Sequence, residues 1–110
     1  MKLTEIIKEL NLKVLCAEEN LERVVSDGYV SDMLSDVMEN AKKNNIWITL
    51  QTHPNIVAVA VLKEIAGIII PAGRKPELET IKKAEQEKIP IMTTELSGFE
   101  IAGRLYRMLK

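Results

Sequence analysis

The apolar residues of the chain recur three and four positions apart in four segments, and this spacing predicts four amphipathic helices. The residues predicted to face inward are Leu3, Ile6, Ile7, Leu10, Met33, Leu34, Val37, Met38, Ala41, Leu78, Ile81, Ala84, Ile101, Leu105, Met108 and Leu109. The polar residues between them, such as Asp36, Glu39 and Lys42 in the second segment, should then face solvent. Each helix is therefore expected to cover one face of a core.

Cap residues give the expected limits of these helices. Ser31 is suited to cap the second helix, which should stop at Asn44–Asn45. Pro76, a residue favoured at the first helical position, precedes the third helix. Ser97 and Glu100 have the spacing of a capping box, in which each side chain bonds the backbone N–H of the other residue. A fourth helix is therefore predicted to begin just after Ser97.

Short β-branched runs between the helices predict strands. Three of these runs are Ile46–Leu50, Ala66–Ile70 and Ile89–Thr93, and Lys13–Cys16 suits a further short strand. The segment Glu22–Tyr29 is ambiguous, since it either ends a helix or opens a strand before an Asp-Gly turn. Strands that alternate with helices in this way predict the α/β class with a parallel sheet.

The segment Ile56–Leu62, with the sequence IVAVAVL, has two interpretations. Its alternation fits a strand, with His53–Asn55 as the turn of a hairpin. A helix is favoured because Pro54 suits a first turn and because Ala58 and Ala60 are good helix formers. Such a helix would be apolar nearly all round, so the sheet must cover one side and another helix or a second subunit the other. We therefore expect a homodimer.

Length and charge exclude several classes of function. The chain has 110 residues, enough for one domain spanning residues 1–110 that buries a core without a disulfide or a metal. Its 15 basic and 16 acidic residues give a net charge of -1, which predicts no nucleic-acid and no membrane partner. No apolar run approaches a membrane span and no signal peptide is evident, so the protein is expected to be cytoplasmic.

Polar, turn-forming residues follow each of the three stronger strands. Because the carboxyl ends of parallel strands meet at one edge, where such sheets bind small molecules, these residues form a candidate site. The candidate ligand-binding residues are Thr52, His53, Asn55, Gly73, Arg74, Thr93 and Thr94. The helix start after Thr52 offers N–H groups to a phosphate or carboxylate, Arg74 supplies a full charge, and Gly73 lets the backbone approach closely.

Each candidate also has an alternative role. Thr52 or His53 could cap the next helix, and Arg74 could be a solvated loop charge. Asp32 and Asp36 reach a ligand only if their helix starts beside the same edge; otherwise they are cap or dipole partners. Catalysis would need His53 to act with one of these aspartates, and their spacing does not require it.

The motifs of common enzymes are absent. The sequence has no GxxxxGK[ST], GxGxxG, GxSxG or HExxH, and one histidine and one cysteine cannot form a zinc site. We therefore predict no catalytic residue, no cofactor and no metal. Cys16 is expected to be a buried small side chain, since nothing near it in the sequence would lower its pKa.

Four segments of the chain carry a resemblance to a known family: Gly28–Lys42, Ile48–Ala60, Ala66–Pro76 and Ile89–Tyr106. They resemble the DRTGG domain, which is similar to the amino-terminal domain of HPr kinase/phosphorylase and occurs beside CBS domains and in some phosphotransacetylases. The resemblance implies a small three-layer α/β/α domain with a mainly parallel sheet. It also implies association into dimers or larger oligomers, and a regulatory or ligand-sensing role.

The motif that names the family has no literal counterpart here. It would fall near Thr52–Val57, where the chain reads Thr-His-Pro-Asn-Ile-Val. The phosphate loop of the kinase belongs to a separate carboxy-terminal domain, so its activity is not carried over. We expect a stand-alone regulatory domain that binds a small anionic metabolite or nucleotide at the strand edge.

Two other functions are kept as alternatives. In the first, the chain binds no ligand, and its apolar helix and the face bearing Met33 and Met38 self-associate and dock on a partner enzyme. The second and weaker alternative is a small enzyme that uses His53 as acid or base.

Overall fold

A five-stranded sheet runs through the middle of the molecule, and the computed structural model describes residues 1–110. The strands are β1 (Lys13–Cys16), β2 (Asp27–Val30), β3 (Asn45–Ile48), β4 (Gly67–Ile70) and β5 (Ile91–Thr93). The helices are α1 (Leu3–Leu10), α2 (Leu34–Asn40), α3 (Asn55–Leu62), α4 (Leu78–Glu87) and α5 (Gly98–Leu109), with a 3₁₀ turn at Glu18–Asn20. None of these helices is both long and apolar enough to cross a lipid bilayer.

The sheet is mainly parallel, as predicted. Its strand order is β1-β5-β4-β3-β2, and the four strands from β2 to β5 run parallel. Only β1 runs antiparallel, with Lys13 opposite Thr93 of β5. The first residue of β1 therefore lies at the edge where the parallel strands end.

Alternate residues of the central strands face opposite helix layers, which is the period of two that a strand requires. Every residue of β3 and β4 is buried. Ile46 and Ile48 pack with residues of α1 and α5. Trp47, Ile68 and Ile70 pack on the other side, with residues of α2, α3 and α4. The three-layer α/β/α architecture is thus confirmed.

The segment after His53–Asn55 is a helix, not the second strand of a hairpin. Its apolar side chains are covered by the sheet and by α2 and α4, which flank it. Most of the cover expected for this helix is therefore supplied within the chain. Two apolar residues at its end stay exposed, Val61 at 39% and Leu62 at 69%.

The ambiguous segment before Tyr29 contains a strand, and the predicted Asp-Gly turn was wrong. Asp27 and Gly28 open β2, which pairs with β3 from Asp27 opposite Asn45 onward. Gly28 serves packing, because a Cβ there would lie 3.2 Å from a methyl carbon of Leu105 on α5. Gly28 therefore lacks a side chain where α5 packs closely against β2.

Helix α2 is shorter than its apolar pattern predicted. It starts at Leu34, and Met33 is its N-cap residue. The Ser31 hydroxyl oxygen accepts a hydrogen bond from the Met33 N–H, so Ser31 lies before the helix and does not cap it. It ends at Asn40 and not near residue 44. Met33 and Met38 are 65% and 39% exposed, so their predicted inward orientation was wrong.

The inward face of α4 also differs from the prediction. Leu78 is 85% exposed, and the buried positions are held by Thr80 and Ala84. The helix begins one residue after Glu77, its N-cap, so Pro76 precedes the helix and does not occupy the first helical position. The Thr80 hydroxyl donates a hydrogen bond to the Thr52 carbonyl, described below, so this polar side chain is satisfied at a buried position.

Half of the predicted capping box is formed at the start of α5. The Ser97 hydroxyl accepts a hydrogen bond from the Glu100 N–H at 3.2 Å. The Glu100 carboxylate instead pairs with Arg104 one turn later, 3.0 Å from its Nε. The predicted helix start is confirmed, while the reciprocal bond is replaced by an ion pair.

We predict that Trp47 is a major contributor to the free energy of unfolding. It is fully buried, and its Nε1 donates to the Ser31 carbonyl at 2.8 Å. Trp47→Ala should lower the free energy of unfolding by about 3–5 kcal/mol, because it leaves a cavity. Trp47→Phe should cost about 1–3 kcal/mol, because it keeps bulk but leaves that carbonyl unpaired. Urea unfolding followed by circular dichroism measures both, and an alanine variant within about 1 kcal/mol of wild type would contradict the role.

Candidate functional site

The carboxyl ends of β2 to β5 form one edge of the sheet, as parallel pairing requires. The loops that leave this edge are residues 31–33, 49–54, 71–77 and 94–97. All seven candidate residues lie in these loops, at the end of β5 or at the start of α3. Their contacts show which side chains are used to build the loops and which face solvent.

Asp32 fixes the first part of the loop after β3. Its carboxylate oxygen Oδ1 accepts hydrogen bonds from the Thr49 hydroxyl at 3.0 Å and the Leu50 N–H at 2.7 Å. The Gln51 side-chain amide donates to the Asp32 carbonyl at 2.9 Å. Thr49 is only 2% exposed, so the bond between Thr49 and Asp32 satisfies a buried hydroxyl. Asp32 therefore joins the ends of β2 and β3.

The loop after β3 is also tied to the loop after β4. The Arg74 Nε donates to the Leu50 carbonyl at 2.8 Å. The Thr52 carbonyl accepts from the Glu77 N–H at 3.1 Å and from the Thr80 hydroxyl at 2.7 Å. Arg74 is thus a loop brace whose charged end remains at the surface.

The N–H groups at the start of α3 already form hydrogen bonds within the chain. The His53 ring nitrogen Nδ1 accepts a hydrogen bond from the Asn55 N–H at 3.1 Å. The next two N–H groups bond to carbonyls, Ile56 to His53 at 3.2 Å and Val57 to Pro54 at 3.0 Å. The His53 ring therefore satisfies the first N–H group of α3 from the position just before Pro54, the N-cap residue.

Asp36 belongs to a separate hydrogen-bond network. Its carboxylate accepts from the Tyr29 hydroxyl and from the Asn40 amide, both at 2.8 Å. The Ser31 hydroxyl, followed by the Tyr29 and Asn40 bonds, holds the pKa of the Asp36 carboxyl below its usual range. The bond to Asp36 is also the main cause that raises the pKa of the Tyr29 phenol. Neither network supplies a carboxylate to His53.

Gly73 joins the loops after β4 and β5. Its N–H donates to the Thr94 carbonyl at 3.0 Å, and its φ of +70° lies in the left-handed region that favours glycine. A Cβ at this position would come 2.8 Å from the Glu95 carboxylate oxygen Oε1. The close contact at Gly73 is thus with Glu95 of the same chain, and a ligand contact there stays a prediction.

The end of β5 opens into a pocket of about 410 Å³ that contains Thr93 and Thr94. Its other lining residues are Leu10, Asn11, Lys13, Glu95, Leu96 and Arg104. The Thr94 hydroxyl oxygen accepts a hydrogen bond from the Leu96 N–H at 3.2 Å. The pocket therefore combines two hydroxyls, one amide and two cations with one carboxylate.

Sequence reasoning missed three polar residues of this pocket. Lys13 reaches the edge because β1 runs antiparallel beside β5, and Arg104 reaches it from α5. Asn11 follows the last residue of α1 with a left-handed φ of 53°. None of these residues follows a parallel strand, so a search of strand ends alone does not find them.

The seven candidate residues fall into two groups. Thr52, His53, Asn55 and Arg74 surround the loop after β3, where their backbone or side chains form the bonds described above. Gly73, Thr93 and Thr94 lie around the end of β5. The short loop after β4 connects the two groups, because it carries both Gly73 and Arg74.

No group of three or more histidine, cysteine, aspartate or glutamate side chains is arranged to hold a metal ion. Cys16 is buried, as predicted from the sequence. Burial is the main cause that raises the pKa of its thiol above the ordinary value. A raised pKa disfavours the reactive thiolate, so Cys16 serves as a core residue.

The fold is similar to a crystal structure of the CBS and DRTGG domains of the regulatory region of Clostridium perfringens pyrophosphatase, complexed with its activator diadenosine tetraphosphate. The TM-score is 0.69 at 22% sequence identity, over 94% of this chain and 45% of that one. The chain thus spans less than half the length of that regulatory region. No curated protein matches the sequence closely enough to count as a relative.

The sequence also matches a family model, that of the DRTGG domain, over residues 5–108. This match covers almost the whole chain and agrees with the resemblance seen in the four sequence segments. The protein therefore belongs to the DRTGG domain family.

Proposed function

We propose that the chain is a regulatory domain that binds a small anionic metabolite or nucleotide at the carboxyl edge of its sheet. The observation that carries this proposal is the 410 Å³ pocket at the end of β5, where Lys13 and Arg104 outnumber a single carboxylate. Its volume lies within the roughly 300–1,000 Å³ of small-molecule sites. Support comes from the similar pyrophosphatase structure, whose regulatory region binds a nucleotide activator.

The proposed ligand contacts extend along this edge. Thr93 and Thr94 offer hydroxyl groups. Arg74 offers a positive charge, and of its N–H donors only the one on Nε bonds a protein acceptor. Gly73 presents backbone without a side chain beside them. A longer ligand would also reach the remaining proposed contacts, Thr52, His53 and Asn55, which lie just before and at the start of α3 and already form hydrogen bonds within the chain.

The loop contacts give a physical basis for regulation. Asp32 and Arg74 both bond to Leu50, and Gly73 bonds to Thr94, so each loop at the edge is braced by a neighbour. A ligand that binds one arrangement of these loops better than another will shift the population toward that arrangement. A ligand that binds one loop would therefore change the arrangement of the neighbouring loops through these hydrogen bonds.

We predict that a small anion raises the melting temperature. A thermal-shift screen of nucleotides, phosphorylated metabolites and carboxylate metabolites should give at least one compound that raises Tm by roughly 4 °C or more at saturation. Arg74→Ala and Thr94→Val should each reduce that shift, because they remove donors from the edge. Lys42→Ala is the matched control, since Lys42 precedes β3 at the opposite edge. A panel in which no compound moves Tm would contradict the proposal.

A second proposal is self-association into a homodimer that docks on a partner enzyme, and it needs no ligand. Its basis is an apolar surface between α3 and α4, a groove of about 390 Å³ lined by Val57, Ala58, Val61 and Leu62 together with polar residues of α4. Leu62 is 69% exposed. Such a surface stabilises an interface when it is buried against another apolar surface.

We predict that Leu62→Glu disrupts such a dimer. A charge buried at an apolar interface should weaken self-association by roughly tenfold or more. Leu78→Glu is the matched control, because Leu78 is 85% exposed and lies outside the groove. Sedimentation equilibrium measures both variants. Wild-type protein that stays monomeric at high micromolar concentration, or a loss of association equal in both variants, would count against this surface.

A further inference from the structure

Lys13 places an unpaired positive charge at the ligand edge. It is the first residue of β1 and lies opposite Thr93, the last residue of β5. None of the ion pairs in the structure includes it. A parallel strand at this position would begin at the other edge, so the single antiparallel strand is what brings an ammonium group to the pocket.

Arg104 supplies the second charge from α5. Its Nε bonds Glu100 at 3.0 Å, and its two terminal amino groups have no protein acceptor. The side chains of this pair are 53% and 51% exposed, and such exposed pairs contribute little, so the guanidinium is free to turn toward a ligand. Guanidinium groups match phosphate oxygens with two parallel N–H donors.

Neutral donors line the same pocket as the two cations. The Thr94 hydroxyl oxygen accepts the Leu96 N–H, which leaves its own hydrogen to donate. Thr93 and Asn11 line the same pocket. Together these groups can satisfy several oxygens of one tetrahedral anion, which a lone surface lysine cannot do.

Glu95 restricts the chemistry of the ligand. It is the only acidic residue of the pocket, and its carboxylate lies against Gly73. It forms no ion pair with either cation. A carboxylate repels a phosphate but accepts hydrogen bonds from sugar hydroxyls, as the acidic residue of dinucleotide sites does for ribose. A ligand that satisfies both the cations and the carboxylate of this pocket therefore carries an anion and hydroxyl groups.

We infer that this pocket binds a phosphorylated sugar, free or as part of a nucleotide. The phosphate lies between Lys13 and Arg104 and takes the hydroxyl donors of Thr93 and Thr94. The sugar hydroxyls donate to Glu95, and the sugar carbons lie over Leu10 and Leu96. This inference rests on the proposed ligand-binding function and names the class of ligand and the part of the edge that holds it.

Calorimetric titration with AMP, ribose 5-phosphate, inorganic phosphate and adenosine tests the inference. Lys13→Ala and Arg104→Ala should each weaken the binding of AMP and ribose 5-phosphate by roughly tenfold, since each removes a charged hydrogen bond. Arg107→Ala is the matched control, because it removes the same charge from α5 outside this pocket. Its affinities should stay within about twofold of wild type. Adenosine, which lacks the phosphate, should not bind.

Glu95→Gln separates the two ends of the ligand. It should weaken ribose 5-phosphate, because an amide is a poorer acceptor for sugar hydroxyls than a carboxylate. It should leave inorganic phosphate unchanged or make it bind more tightly, because the repulsion is removed. Equal affinities for AMP and ribose 5-phosphate support a sugar phosphate alone, and tighter AMP supports a nucleotide.

Two results would overturn the inference. If the Lys13 and Arg104 variants bind as well as the Arg107 control, the phosphate lies elsewhere on the edge, and the proposed ligand-binding function still stands. If neither AMP nor ribose 5-phosphate binds wild-type protein, the ligand class is wrong. A thermal shift with a different anion then preserves the broader proposal, while its failure across the whole panel removes that as well.

Discussion

The burial of both faces of β3 and β4 is the constraint on which the rest of the structure depends. Helices cover each face, so every residue of these strands is buried and nearly all are apolar. Polar groups are then excluded from the middle of the sheet and collect where the strands end. Thr49 follows the last residue of β3, and its buried hydroxyl donates a hydrogen bond to the Asp32 carboxylate. The candidate site is thus a direct consequence of how the core is covered.

The edge formed in this way has a built part and an open part. Around the loop after β3, Asp32, Arg74 and His53 are used as braces and caps, which gives this part its shape. At the corner between β1 and β5 the side chains of Lys13 and Arg104 keep unused donors beside a pocket. Loops that are already held by hydrogen bonds lose little conformational entropy when a ligand binds. A rigid scaffold beside free charged groups therefore favours ligand recognition.

Local patterns predicted the central elements because their burial leaves a clear signal. The β-branched runs gave β3, β4 and β5, and the family resemblance gave the three-layer arrangement that the structure confirms. The errors came from residues whose role depends on distant partners. The Asp-Gly pair predicted a turn, but Gly28 lies in a strand where Leu105 packs against it. Met33 fits the apolar pattern of α2, but the helix begins one residue after it. Lys13 could not be assigned to the site, because its position depends on β1 lying beside β5 and in the opposite direction.

We propose that the ligand edge is open at the corner between β1 and β5 and closed by internal hydrogen bonds at the start of α3. Backbone amide NMR of labelled protein titrated with ribose 5-phosphate distinguishes the two parts of the edge. The largest, saturable shifts should fall on Asn11, Lys13 and residues 93–96, with small changes at His53–Asn55. Saturable shifts concentrated at His53–Asn55, with the corner unchanged, would show that the ligand binds at the start of α3 instead.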